Sequence, residues 1–324
     1  MINIAPFVSC KYQPLINFRD GLTINRFIPP RRKDKVVIVI GATGTGKSRL
    51  SIDLANHFSA EVVNSDKMQV YKGLDIVTNK VTEEETCGIP HHLLAFVDPN
   101  ETFTATDFCQ HASLAVDSIT RKGQLPIIAG GSNSYIKALV NDDIEFKSRY
   151  ECCFLWIDVK LELLQRFVSE RVDKMVKDGL VEEAREFFNP DGDYTSGIRR
   201  AIGVPEMDEY FRNEDKLINE DALDEMLQRA IENIKTNTCK LACCQRENIL
   251  RLERQLGWNI NRLDATEAFE KKGGESHQAW RRLVSEPSAR FVHYFLGEEL
   301  LNIPTPPSSS SSTSFLPAVA TATH

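Results

Sequence analysis

Val36-Val37-Ile38-Val39-Ile40-Gly41-Ala42-Thr43-Gly44-Thr45-Gly46-Lys47-Ser48 is the stretch on which the fold turns. Its five leading β-branched residues predict a strand buried on both faces. The next eight residues fit G-x-x-x-x-G-K-[ST] at every fixed position. Leu50, Leu54 and Phe58 then recur at four-residue spacing and predict the apolar stripe of a helix. Strand, glycine loop and helix in this order open an α/β fold. In such a loop the glycines let backbone N–H groups wrap an anion, and the following helix adds its positive end. Gly41, Ala42, Thr43, Gly44, Thr45 and Gly46 are therefore candidates for a polyphosphate cradle. Lys47 would bring a point charge to phosphate oxygens, and Ser48 a hydroxyl to Mg²⁺. The loop alone does not separate kinases, ATPases and GTPases from other users of polyphosphates.

Outward from this loop, further strands are predicted at 60–64, 125–129 and 154–159. Helices are predicted at 104–121, 134–140 and 161–188, the last with a break at Gly179. The alternation predicts a P-loop-type, mostly parallel sheet flanked by helices. The strand at 60–64 is expected beside the P-loop strand. Residues 221–256 read as one long helix or two, giving a helical C-terminal part from about residue 189 to 285. Hydrophobic residues at 42% and charged residues at 26% are ordinary for a globular protein, so a core of useful size is expected. No apolar run is long enough to span a membrane. The net charge of −7 does not suggest a nucleic-acid binder. Residues 1–35 carry seven basic and two acidic residues, a balance that fits either an organellar transit peptide or a solvated terminus. The domain is expected over 34–302, between a leader at 1–33 and a disordered Ser/Pro-rich tail at 303–324. The eight cysteines include no C-x-x-C pair, so buried free thiols in a reducing compartment are expected rather than zinc.

Several segments, in order, resemble the isopentenyltransferase family. They are the loop Gly41 to Ser48, Ala60-Glu61-Val62-Val63-Asn64-Ser65-Asp66-Lys67-Met68-Gln69-Val70-Tyr71, Thr78-Asn79-Lys80 and Gly88-Ile89-Pro90-His91-His92. Pro126 to Ile136 with Gly130-Gly131-Ser132-Asn133-Ser134, Arg171-Val172-Asp173-Lys174-Met175 and Gly197-Ile198-Arg199-Arg200-Ala201-Ile202-Gly203 complete the set. The Ser132-Asn133-Ser134 version is more similar to plant adenylate-type members than to tRNA-type ones. The resemblance implies prenyl transfer from dimethylallyl diphosphate to the N6 amine of AMP, ADP or ATP, with Mg²⁺ as cofactor. It implies that Asp66 is the base, that the Thr43 hydroxyl lies near the bridging oxygen of the leaving group, and that Arg171 contacts the diphosphate. Asn64, Ser65, Lys80, Ser132, Asn133 and Ser134 are candidates for the adenylate pocket. A plastid location is expected, with mitochondrion or cytoplasm as alternatives.

Each assignment has an ordinary counterpart. Asp66 in Asn64-Ser65-Asp66 is also a turn or capping aspartate. Arg171 is also a solvated helix arginine beside Glu170 or Asp173. His91 and His92 read as structural, and Asp158, after an apolar run, is a second candidate for Mg²⁺. Before Gln245 the family often carries Arg, where this chain has Cys244. If that Arg touches phosphate in relatives, this chain either binds its anion less tightly or uses a neighbour such as Lys240 or Arg246. Two other functions remain. One is tRNA prenylation, disfavoured by the absence of a Cys after Cys244 for a C-terminal zinc finger. The other is a P-loop nucleotide kinase, which leaves the segments around Asp66 and Ser132 unexplained.

Overall fold

The computed structural model describes residues 32–297 apart from 215, 217 and 218. The expectations for the leader, Arg32 and Lys33 aside, and for the 303–324 tail lie outside the described residues. Strands β1 (Asp34–Gly41), β2 (Ala60–Asn64), β3 (His91–His92), β4 (Leu125–Ala129), β5 (Tyr150–Asp158) and β6 (Ile260–Asp264) form one sheet. Their order is β3-β2-β4-β1-β5-β6, and every pairing is parallel. Thus β2 is not the neighbour of β1, as the sequence had suggested, because β4 lies between them. The chain leaves β2, returns through a long helix and fills the β1 edge, where Val37, Ile38 and Val39 pair with Ile127, Ile128 and Ala129.

The helices are α1 (Lys47–Phe58), α2 (Glu83–Thr86), α3 (Ala105–Arg121), α4 (Asn133–Lys137), α5 (Ile144–Arg149), α6 (Leu161–Lys177), α7 (Leu180–Glu186), α8 (Asp208–Asn213), α9 (Glu220–Leu256), α10 (Thr266–Glu270), α11 (Gly273–Trp280) and α12 (Glu286–Leu296). Gly179, at φ 110, separates α6 from α7 where the break was expected. The 221–256 segment lies in one helix, Glu220–Leu256, of 37 residues. A capping box between Thr104 and Asp107 starts α3.

The period-two alternation of β1 sorts its side chains onto two cores. Val36, Ile38 and Ile40 pack with residues of α3, α6, α7 and α9. Val37 and Val39 pack with Leu50 and Leu54 of α1, Leu164 and Val168 of α6, and Trp280 of α11. Both faces of the sheet are thus covered, which is the condition for a parallel sheet in water. Among the seven described cysteines only Cys153 is buried, and Cys87 and Cys244 are exposed, so the expectation of buried thiols fails for most.

Candidate active site

Strand register sets the site. Asn64 is level with Ala129, and Ala129 with Val39. Three loops therefore leave the carboxyl edge of the sheet together, after β1, β2 and β4, where open α/β sheets bind ligands. They carry Gly41 to Ser48, Ser65 to Lys67 and Gly130 to Ser132. The cleft they border has a volume of about 1030 Å³.

In the first loop Gly44 and Gly46 take φ values of 82 and 91, a conformation that L side chains rarely adopt. Lys47 starts α1, and its ammonium donates to the Ala42 carbonyl at 2.8 Å. Burial lowers its pKa from 10.5 to about 8; Asp66 opposes that shift and Arg171 adds to it. Arg171 projects from α6, and its Nη2 donates to the Thr43 hydroxyl at 2.9 Å. Its Nε is buried without a hydrogen-bond partner. It pairs with neither Glu170, which meets Arg166, nor Asp173, which meets Lys235. Burial lowers the Arg171 pKa and Asp66 opposes the shift, so the three charges share one electrostatic environment. Two cations beside one carboxylate on the cleft wall suit an anion.

Asp66 is held by its own turn. Its N–H donates to Asn64 Oδ1 at 3.1 Å, and its Oδ1 accepts from the Met68 N–H at 2.9 Å. The turn reading of Asp66 is therefore correct, and the turn fixes the carboxylate on the cleft wall. Thr43, Lys47, Ser48, Asn64, Asp66, Ser132 and Arg171 all line the cleft. Ser132 Oγ accepts from the Lys67 N–H at 2.9 Å and ties the second loop to the third.

Other candidates sit elsewhere. Lys80 is buried off the cleft, with its ammonium on the carbonyl of Gly73 and on Asp75 Oδ1, so it staples its own loop. Ser65 is buried beneath Gly130, where a Cβ would collide with it. Asn133 is buried and donates to the Gln245 carbonyl at 3.0 Å, and Ser134 is exposed on α4. Gly41, Ala42 and Thr45 shape the loop from behind. His92 binds Glu61 at 2.6 Å and is off the cleft, whereas His91, read with it as structural, lines the cleft with its Nδ1 2.8 Å from the Ile89 carbonyl. Asp158, offered as a metal ligand, is instead paired with Arg246 at 2.9 Å and Arg262 at 2.5 Å. That pairing also removes Arg246 as a substitute phosphate contact. Cys244 is exposed and off the cleft wall, whereas Gln245 faces the cleft, so the substitution at 244 lies on the outer face of α9.

Two contributors were not read from sequence. Gln245 Oε1 accepts from the Thr43 N–H at 2.7 Å, and its Nε2 donates to the Gly131 carbonyl at 3.1 Å. Its signal was a polar residue in the apolar stripe Ile234, Thr238, Ala242, Gln245, Ile249. Trp280 covers the phosphate loop: a Cβ on Gly46 would lie 2.6 Å from its ring. Its Nε1 donates to Asp53 at 2.9 Å, and the Arg49 guanidinium lies 4.5 Å from its ring centre.

The family model for IPP transferase matches residues 69–148 and 141–249. Adenylate isopentenyltransferase 5, chloroplastic, of Arabidopsis thaliana is 58% identical over 88% of this chain and 86% of its own length. Adenylate isopentenyltransferase 7, mitochondrial, of the same plant is 50% identical over 87% of each. Among solved structures, a eukaryotic dimethylallyltransferase acting on tRNA aligns with a TM-score of 0.70 at 24% identity, covering 83% of this chain and 81% of that one. The tRNA isopentenylpyrophosphate transferase of Bacillus halodurans aligns at 0.64 and 23%, covering 82% and 96%. These two likenesses establish the same fold. The family model and the plant relatives go further: the chain belongs to the isopentenyltransferase (IPP transferase) family.

Proposed function

We propose that this protein transfers a dimethylallyl group from dimethylallyl diphosphate to the N6 amine of AMP, ADP or ATP, the step that yields cytokinin nucleotides. The observation that carries the reading is the presence, in one cleft, of an anion cradle and a carboxylate. Lys47, Thr43, Arg171 and Asp66 all line it, and Asp66 lies near enough to Lys47 and Arg171 to favour their charged forms. The N6 lone pair attacks the allylic carbon, the carbon–oxygen bond breaks, and its electrons leave with the diphosphate. Lys47, the Thr43 hydroxyl and the Arg171 guanidinium receive that growing charge. Asp66 Oδ2, which accepts no hydrogen bond among the described residues, takes the N6 proton.

Mg²⁺ would lower the charge on the diphosphate. Among the described residues no three His, Cys, Asp or Glu side chains converge on a metal-sized site. The Ser48 hydroxyl, on the cleft wall next to Lys47, is the protein group suited to hold the ion together with diphosphate oxygens and water. The acceptor is a small nucleotide, and among the described residues no helix is long and apolar enough to cross a membrane. The basic start of the chain and the chloroplastic and mitochondrial relatives support a plastid location, with the mitochondrion second. The test is incubation with labelled dimethylallyl diphosphate and AMP, ADP, ATP or tRNA. Label on N6 of a free nucleotide is expected. Label only on tRNA, or none, overturns the reading.

A further inference from the structure

We infer that Gln245 is the positioning residue that sets the distance between the donor and acceptor halves of the site. The inference rests on the function proposed above. One amide makes both connections. Through Oε1 it holds the Thr43 peptide, whose side chain meets Arg171 on the donor side. Through Nε2 it holds the Gly131 carbonyl. The loop of Gly131 continues into Ser132, which fixes Lys67 beside Asp66, and the Gly131 Cα region lies against Asp66 itself, with Asp66 Oδ2 3.7 Å from where a Cβ would stand. Gln245 is buried at 8% exposure on α9, and Asn133 anchors its backbone carbonyl. A buried amide with both polar atoms used holds one orientation. Between the two strand ends that carry these loops, the sheet offers only backbone register. Gln245 ties the loops across that gap.

The same geometry explains Gly131. No positive φ requires glycine there, yet an added Cβ would collide with Gln245 Nε2 and make only ordinary contact with Asp66. Gly131→Ala should therefore push the amide aside without touching the phosphate loop.

Wild type, Gln245→Ala, Gly131→Ala and the double variant are compared. Single-turnover prenyl transfer is measured with both substrates saturating, and the Kd of inorganic diphosphate and of ADP is measured with each ligand alone. Both single variants should slow transfer about tenfold or more, since small misplacements of reacting groups are costly. Each Kd should shift less than about threefold, because each half-site stays intact. The double variant should be no slower than Gln245→Ala, because the collision has gone. If Gln245→Ala does not fold, Gly131→Ala alone decides by the same split between rate and affinity. Transfer at the wild-type rate overturns the inference. So does a loss of diphosphate affinity that matches the loss of rate, which would make Gln245 merely part of the loop. So does an additive double variant. An inactive wild type is seen before any variant is made, and it fails the proposed function and this inference with it.

Discussion

Arg171 Nη2 donates to the Thr43 hydroxyl at 2.9 Å while its buried Nε has no partner. One guanidinium thus orients the side chain nearest the proposed bridging oxygen, and under the proposed function the part of its fork that lines the cleft faces the diphosphate. Arg171→Lys keeps the charge but cannot span both tasks. It should lower kcat about 10²-fold, the scale for losing one fixed donor to a developing anion. Steady-state kinetics with dimethylallyl diphosphate check this, and a kcat within threefold of wild type would remove Arg171 from the leaving-group site.

Asp66→Asn keeps the turn, because an amide oxygen can still accept from the Met68 N–H. It removes the basicity. Single-turnover transfer should slow by roughly 10²-fold or more, with diphosphate affinity little changed. An unchanged chemical step would return Asp66 to the turn role alone.

The Lys47 ammonium has a pKa of about 8 rather than 10.5, because burial disfavours its charge. Between those values the unfolded chain holds more protons than the folded one. The unliganded protein should therefore gain stability from this group as pH rises through that window, and carry the full penalty below it. Diphosphate binding needs the proton back, so its affinity should fall above about pH 8, by up to about tenfold per pH unit. Lys47→Arg stays charged throughout and should flatten that dependence. The readout is the ratio of the two Kd values for inorganic diphosphate across this range. A constant ratio would rule out Lys47 as the titrating group.

Trp280→Phe retains a ring over Gly46 and loses the Asp53 bond, so it should cost about 1 kcal/mol of stability. Trp280→Ala opens a cavity over the loop and should cost about 3–5 kcal/mol. Denaturant titration gives both values. The donor KM should rise in the alanine variant, and an unaltered KM in a folded Trp280→Ala protein would show that the loop holds its shape unaided.

Asp158→Asn tests the reassignment of that residue from metal ligand to ion pair. It should destabilise by about 1–3 kcal/mol, less than a fully buried pair would, because Arg262 is half exposed. The Mg²⁺ concentration giving half-maximal activity should not move. A large shift in that concentration would restore the metal role.

The phosphate loop was legible because its geometry is local: glycine spacing, a β-branched strand and a periodic helix suffice. Asp66 and Arg171 needed a family resemblance, since a turn aspartate and a helix arginine are common. Strand order was not legible, because Leu125–Ala129 has the same apolar character whether it lies beside β1 or beyond β2. Edge strand β6 was missed because Ile260-Asn261-Arg262-Leu263-Asp264 is half polar and mostly not buried. Lys80 was misplaced because its proximity to the Asp66 segment in sequence says nothing of its side chain, which turns to Gly73 and Asp75. Gln245 and Trp280 act across long sequence separations, and only the folded chain brings them to the loop.

The cover that Trp280 provides for Gly46 also bears on how the protein is made. A chain emerging amino-terminus first from a ribosome presents the phosphate loop early and Trp280 nearly last. Until α11 docks, the cradle lacks its roof, and an anion bound there adds less stabilisation to a partial chain than to the whole one. The nascent chain thus gains the full stabilisation that a ligand can give only when synthesis is nearly complete.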